Sequence, residues 1–180
     1  MKRQAETTRK ALLASARDIV AEFGAINFTL EAVALRAGVS KGALLHHFPT
    51  KKALVEAMVR DLVSHFTDAC SALIAADPDP VGRTARAYVR AIAAQSKTEY
   101  EQFAAMSVAF LSDMSLMHIW RSGVTAGLEA DVAENVDPTD AMIVRLAADG
   151  IWTSDLYGTY GFESHRRKQI LDKLVAMTRA

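Results

Sequence analysis

Between Thr29 and Lys52 two short runs of helical spacing meet at Gly38, and the join leaves room only for a tight turn. Leu30, Val33, Ala34 and Ala37 recur at three and four residues, which lines one helical face, and Thr29 can cap that helix by accepting from an early backbone N–H. The spacing predicts a short helix over 30–37. Gly38 stands where a helix exit calls for a left-handed residue, and Ser40 two positions on can cap a new start. In the second helix Leu44 and Phe48 share one side, while Gly42 and His46 project opposite, flanked by Ala43 and Leu45. Lys41 sits at its entrance, and Pro49 ends it at Phe48. A short helix with one apolar edge and a thin, partly basic outer face suits insertion into the major groove of DNA. A plain helical hairpin would show the same pattern, since three- and four-residue turns with Gly are common.

Charge bears on that choice. The chain carries 21 Lys+Arg and 21 Asp+Glu, a formal charge of zero that by itself argues against a nucleic-acid binder. Residues 1–60, however, hold 10 Lys+Arg and 5 Asp+Glu, or +5, so the remaining 11 and 16 give −5. The basic excess falls in the segment that holds the helix-turn-helix, as attraction to phosphate requires.

The run from Gly38 to Lys51, Gly-Val-Ser-Lys-Gly-Ala-Leu-Leu-His-His-Phe-Pro-Thr-Lys, preceded by Thr29-Leu30-Glu31-Ala32-Val33-Ala34, closely resembles the recognition region of TetR-family transcriptional regulators. The close likeness extends from Thr8 to Val59 and is only architectural beyond. It implies a homodimer that binds double-stranded, near-palindromic operator DNA, mostly as a repressor, with a larger C-terminal domain that binds a small molecule. It also implies that the last two long helices of each subunit pair across the dimer. By position, Thr29 resembles a phosphate-contacting residue, and Ser40, Lys41, Gly42 and Ala43 match the contacting end of the recognition helix. His46 and His47 match its later contacts, and Lys51 a phosphate-binding lysine opening the fourth helix. Leu45 departs from the pattern: the family commonly has Tyr there, whereas Leu offers only apolar contact, as to a thymine methyl.

The rest of the chain reads as helix throughout. Met1 to Glu6 is a polar, basic arm, after which Thr7 or Thr8 caps a helix carrying Leu12, Ala16, Ile19, Val20 and Phe23 to Gly24. Three helices of about 50 residues make a marginal domain and call for a larger support. Thr50 caps a fourth helix with Leu54, Met58, Leu62, Phe66, Ala69 and Leu73 on one stripe, broken at Asp77-Pro78-Asp79-Pro80; Lys51 and Lys52 at its start would attract phosphate. Asp79-Pro80 opens a helix to Gln95, in which Arg83, Arg86 and Arg90 read as a solvated face rather than a second nucleic-acid patch. Phe103, Met106 and Phe110 recur over 100–111, and a break at Ser112-Asp113 precedes Leu116, Met117, Trp120, Val124 and Leu128. Asp137-Pro138 opens a helix to Gly158 or Gly161, and a last helix spans 163–179. No β alternation is seen, and the fold class is all-α with about nine helices. The domains are 1–50, the helix-turn-helix, and 51–180, a helical effector-binding and dimerisation domain.

Functional assignments in the larger domain follow chemistry more loosely. Met and aromatic side chains repack around irregular ligands, although ordinary core explains them equally. The expected effector site comprises Leu62, Phe66, Phe103, Met106, Phe110, Met117 and Trp120, with Tyr88 or Arg121 as polar groups. Residues 138–179 are the expected dimer interface, with Ala147, Ile151 and Leu174 as its buried positions. Cys70, the single cysteine, reads as a small core residue in a reducing, cytoplasmic setting, and no membrane span or signal peptide is expected. No cofactor or metal is expected either, since the five histidines lack ligand spacing and no nucleophile motif is present, which makes an enzyme the weakest reading. A constitutive DNA-binding regulator, whose C-terminal domain only dimerises or meets a protein partner, stays beside the ligand-responsive repressor, as does a helical small-molecule binder without DNA affinity.

Overall fold

A computed structural model describes residues 2–24 and 27–179; for Lys2, Ala105 and residues 108–112 it describes only the helix to which they belong. The helices are α1 (Lys2–Phe23), α2 (Leu30–Arg36), α3 (Lys41–His47), α4 (Lys51–Ala76), α5 (Arg83–Ala94), α6 (Lys97–Ser112), α7 (Met117–Ala133), α8 (Pro138–Tyr157) and α9 (Ser164–Met177), with a 3-10 turn at Met114–Leu116 before α7. Among the described residues there are nine α-helices and no strand, the all-α class that the apolar spacing predicts.

Packing divides the chain into two compact units, Met1–Leu62 with Thr98–Ile119, and Val63–Lys97 with Trp120–Ala180. The first unit is larger than the helix-turn-helix segment 1–50. Leu54, Met58 and Leu62 of α4 and Phe103 and Met106 of α6 are buried in it beside Leu12, Ala16, Val20, Val33, Leu44 and Phe48. Arg17 of α1 forms an ion pair with Asp61 of α4, and Arg36 of α2 donates to Glu22 of α1 through both Nη atoms at 2.6 and 2.7 Å. In the second unit α5 packs against α8 and α9, and Tyr88, Val89, Ile92, Val144, Ala148, Ile151, Leu171 and Leu174 form its core.

Two helix starts differ from the sequence expectation, each for a visible reason. Thr7 and Thr8 do not cap α1; their hydroxyls donate back to the carbonyls of Arg3 and Gln4, and the helix runs from Lys2. The helix expected from Asp79-Pro80 begins at Arg83. The Asp79 carboxylate accepts from the Val81 N–H instead, and Gly82 adopts φ 66° so closely against α9 that a Cβ would lie 2.1 Å from the Thr178 carbonyl oxygen.

Of the α5 arginines expected on a solvated face, Arg83 and Arg90 stay about two-fifths exposed and Arg86 does not. Arg86 is fully buried, its Nε donating to Asp77 at 2.8 Å and its Nη atoms to the carbonyls of Val81 at 2.6 Å and Asp79 at 2.8 Å. Arg90 also reaches Asp77, and Arg83 reaches Glu134. Asp137 caps α8 by accepting from the N–H groups of Thr139 and Asp140, and Gly158 in the left-handed region ends it.

Candidate nucleic-acid interface and apolar cavity

Two backbone bonds close the turn between α2 and α3. Gly38 (φ 67°) donates to Leu35 and Val39 donates to Ala34, the paired return bonds of a Schellman helix exit. On either side a hydroxyl caps a helix: Thr29 Oγ1 accepts from the Ala32 N–H at 3.2 Å and Ser40 Oγ from the Ala43 N–H at 3.1 Å. Capping uses only the acceptor side of a hydroxyl, so it does not consume the hydrogen of either exposed O–H. Leu44 and Phe48 anchor α3 in the core, while Lys41, Gly42 and His46 are exposed and Ala43, Leu45 and His47 half-exposed. A Cβ on Gly42 would come no nearer than 3.9 Å to Ser40 Oγ, so the fold leaves this stretch of backbone open to close approach.

The cations around α3 are pre-positioned. Lys41 pairs with Glu31, both more than half exposed, and the hydrogen bond draws the Glu31 carboxyl below its ordinary value. Such a pair is weak enough to exchange for a phosphate. Lys51 Nζ lies 4.3 Å from the centroid of the buried Phe28 ring, which fixes it at the start of α4. Lys52 instead reaches Asp113 at 2.8 Å, and that contact holds the Asp113 carboxyl down at about 2. Glu31 and Phe28 carry no sequence signal for these roles; only the helix-turn-helix geometry brings them to the lysines.

A cavity of about 280 Å³ lies within the second unit, bounded by α4, α5, α7 and α8. Of the expected effector residues it gathers Phe66, Tyr88 and Trp120, with Phe66 edge-on to Tyr88 at 5.4 Å and tilted against Trp120 at 5.8 Å. Leu62 and Met106 line a separate void of about 10 Å³ in the first unit, scarcely one water in size. Phe103 is buried, Met117 half-buried and Arg121 exposed, and none of the three lines either space. Phe110 lies outside the described residues. Sequence reasoning missed Arg145, which lines the cavity from α8, because an arginine between Val144 and Leu146 has no motif to mark it. Cys70, also in the wall, is pushed up to about 11 by burial and stays a neutral thiol. The Tyr88 hydroxyl donates to Asp149, and burial is the main cause raising both groups above their ordinary values.

Of the residues assigned to a dimer interface, Ile151 and Leu174 lie in the chain's own core and Ala147 packs against it. The apolar side chains that α8 leaves in solvent are Met142, Ile143, Leu146 and Tyr157. Among the described residues no three His, Cys, Asp or Glu side chains converge as metal ligands, and no helix is long and apolar enough to cross a membrane.

Two family models match this chain. Residues 12–58 match the family described as bacterial regulatory proteins, tetR family, and residues 82–179 match the tetracyclin repressor-like C-terminal domain. The HTH-type transcriptional regulator BetI of Klebsiella pneumoniae is 38% identical over 71 residues, which are 39% of this chain and 36% of that protein. The match therefore spans about a third of that relative's length. A TetR-family member from Streptomyces coelicolor A3 shares the fold with a TM-score of 0.71 at 24% identity, over 93% of this chain and 97% of that one. The multidrug binding protein EbrR, solved with imidazole, does so with a TM-score of 0.69 at 22% identity, over 94% and 88%.

Proposed function

The chain belongs to the TetR family and is a helix-turn-helix transcriptional regulator, and on that premise we propose that it acts as a homodimeric repressor released from a palindromic operator by a small apolar effector. The observation that carries the DNA-binding assignment is the exposed end of α3, where Ser40, Lys41, Gly42 and Ala43 surround an open backbone, with Thr29 and Lys51 at neighbouring helix starts. Phosphate contacts from Thr29, Ser40 and Lys51 would set position, while Lys41, Leu45, His46 and His47 face the groove. Two such helices spaced one DNA turn apart, about 34 Å, read the two half-sites.

The cavity supports the effector half of the reading. It is mostly apolar with a few polar groups, the usual composition of a small-molecule site, and a fold-mate described as multidrug binding has been solved with imidazole. Effector binding that favours a dimer with misplaced recognition helices would free the operator, and by linkage operator DNA must weaken effector binding by the same factor.

The test is selection of DNA from a random pool by the full chain, followed by anisotropy titration of the selected site with and without compounds found by thermal shift. Repression by release predicts a palindromic site whose affinity falls when the compound binds. A compound that binds in the cavity and leaves operator affinity unchanged would point instead to a constitutive regulator.

A further inference from the structure

The room in the cavity comes from α7, which contributes hardly any side chain to its share of the wall. Gly123, Ala126, Gly127 and Ala130 recur there at three and four residues, so they lie on one face of that helix. From α4 come Val63, Cys70 and Ile74, and the rings of Phe66 and Trp120 stand 5.8 Å apart in the same wall. The volume of about 280 Å³ is nearly twice the roughly 150 Å³ of an engineered apolar cavity that holds one benzene ring. Two fused rings are the size that fits.

The polar groups of the wall are turned to partners inside the protein. Thr67 Oγ1 donates to the Val63 carbonyl at 2.8 Å, Thr84 Oγ1 to Glu134 at 2.9 Å, the Tyr88 hydroxyl to Asp149, and Arg145 Nε to Asp131 at 2.6 Å. Arg145 Nη2 has no surface open to the space; a Cβ on Gly127 would lie 2.8 Å from it, so α7 rests directly against it. The Arg145 side chain is 7% exposed and that of Asp131 0%, a pair already balanced and shielded. Cys70 is held neutral by burial and acts as a small apolar surface, while Ser71 is exposed at the rim. A molecule entering this space exchanges water for apolar contact and gains no hydrogen bond from these groups. Each polar group it carries therefore counts against it, and a charge counts most.

We infer that the cavity takes a neutral two-ring aromatic hydrocarbon, held by contact alone, with its size set by the small residues of α7 and its rings against Phe66 and Trp120. This rests on reading the cavity as the effector site and adds the size of the effector and its lack of polar groups.

Calorimetry at neutral pH, with the full chain titrated into four probes, tests it: ethylnaphthalene, naphthylmethanol of matched shape, naphthoate, and the one-ring ethylbenzene. Ethylnaphthalene should bind about tenfold or more tightly than the alcohol, because burying a hydroxyl without a partner costs that much, and naphthoate should be weaker still. Ethylbenzene should trail by about tenfold for the apolar surface it lacks. Tyr88→Phe should keep this order, since the hydroxyl faces Asp149 and not the ligand. A Cβ on Gly123 meets only open space, so Gly123→Leu is compatible with the fold, and Ala130→Leu narrows the same wall. Both should weaken ethylnaphthalene more than ethylbenzene, with thermal unfolding run beside the titration to show that each variant is folded. Tightest binding of the alcohol or of naphthoate, or equal binding of ethylbenzene, overturns the inference while leaving the cavity a binding site. Failure of all four to bind, or ethylnaphthalene binding untouched by both leucine substitutions, overturns it together with the reading on which it rests.

Discussion

Arg86 and Asp77 show what a single pair can contribute when neither partner meets solvent. Arg86 is fully buried and the Asp77 side chain is 5% exposed; the hydrogen bond from Arg86 holds the Asp77 carboxyl far below its ordinary value of 3.8, with burial opposing. A depressed carboxyl stabilises the fold fully above its unfolded value and ceases to do so as pH falls through its folded one. Stability should therefore decline progressively once the pH drops below about 4. Asp77→Asn should cost about 3–5 kcal/mol at neutral pH, because it strands a buried guanidinium, and should flatten the acid limb of a urea-unfolding series. The exposed pair of Lys41 and Glu31 works differently, contributing little to stability. Lys41→Ala should leave the unfolding midpoint in place yet weaken operator binding, lower the salt slope by about one and relax base preference. Equal loss on operator and random DNA would remove Lys41 from base reading.

At the scale of helices and turns, two glycines four residues apart should respond in opposite directions to the same substitution. Gly38 sits at φ 67° with open space around it, so alanine there meets strain and no clash; the cost should be about 1–2 kcal/mol. Gly42 has no such φ and equally open surroundings within α3, so alanine there should stabilise by about 0.5–1 kcal/mol. If α3 meets DNA through its backbone at this point, Gly42→Ala should nonetheless weaken operator binding, and anisotropy beside thermal unfolding separates the two effects. The turn between α2 and α3 was legible in the sequence because each of its signals is local: a cap hydroxyl, a left-handed glycine, a proline after the end. The start of α5 was not. Asp79-Pro80 carries the same local signal as Asp137-Pro138, but Arg86 and Gly82 answer to Asp77, Val81 and Thr178, and only the folded chain brings those together.

For the molecule as a whole, helical spacing tells which side chains are buried and is silent on what they are buried against. By spacing alone Leu62 and Met106 go with Phe66 and Trp120 although they line a different space, and Ile151 and Leu174, apolar and on the last two helices, look like an interface although they fill their own core. The structure does separate two faces of α8. Ile143 is 46% exposed, Leu146 62% and Tyr157 60%, whereas Ile151 is 5% exposed, so α8 has one face for its own chain and an apolar face left over. A self-complementary contact across a two-fold axis uses such a face twice, which suits the homodimer proposed above. Ile143→Glu with Leu146→Glu should therefore give a monomer that keeps its helical signal, since neither side chain supports the core, while Ile151→Asp should unfold the chain itself. Sedimentation velocity beside circular dichroism distinguishes these outcomes. The monomer should also lose operator affinity far more than half-site affinity, because a palindrome rewards only two recognition helices held together. A doubly charged variant that still sediments as a dimer would move the interface off this face of α8.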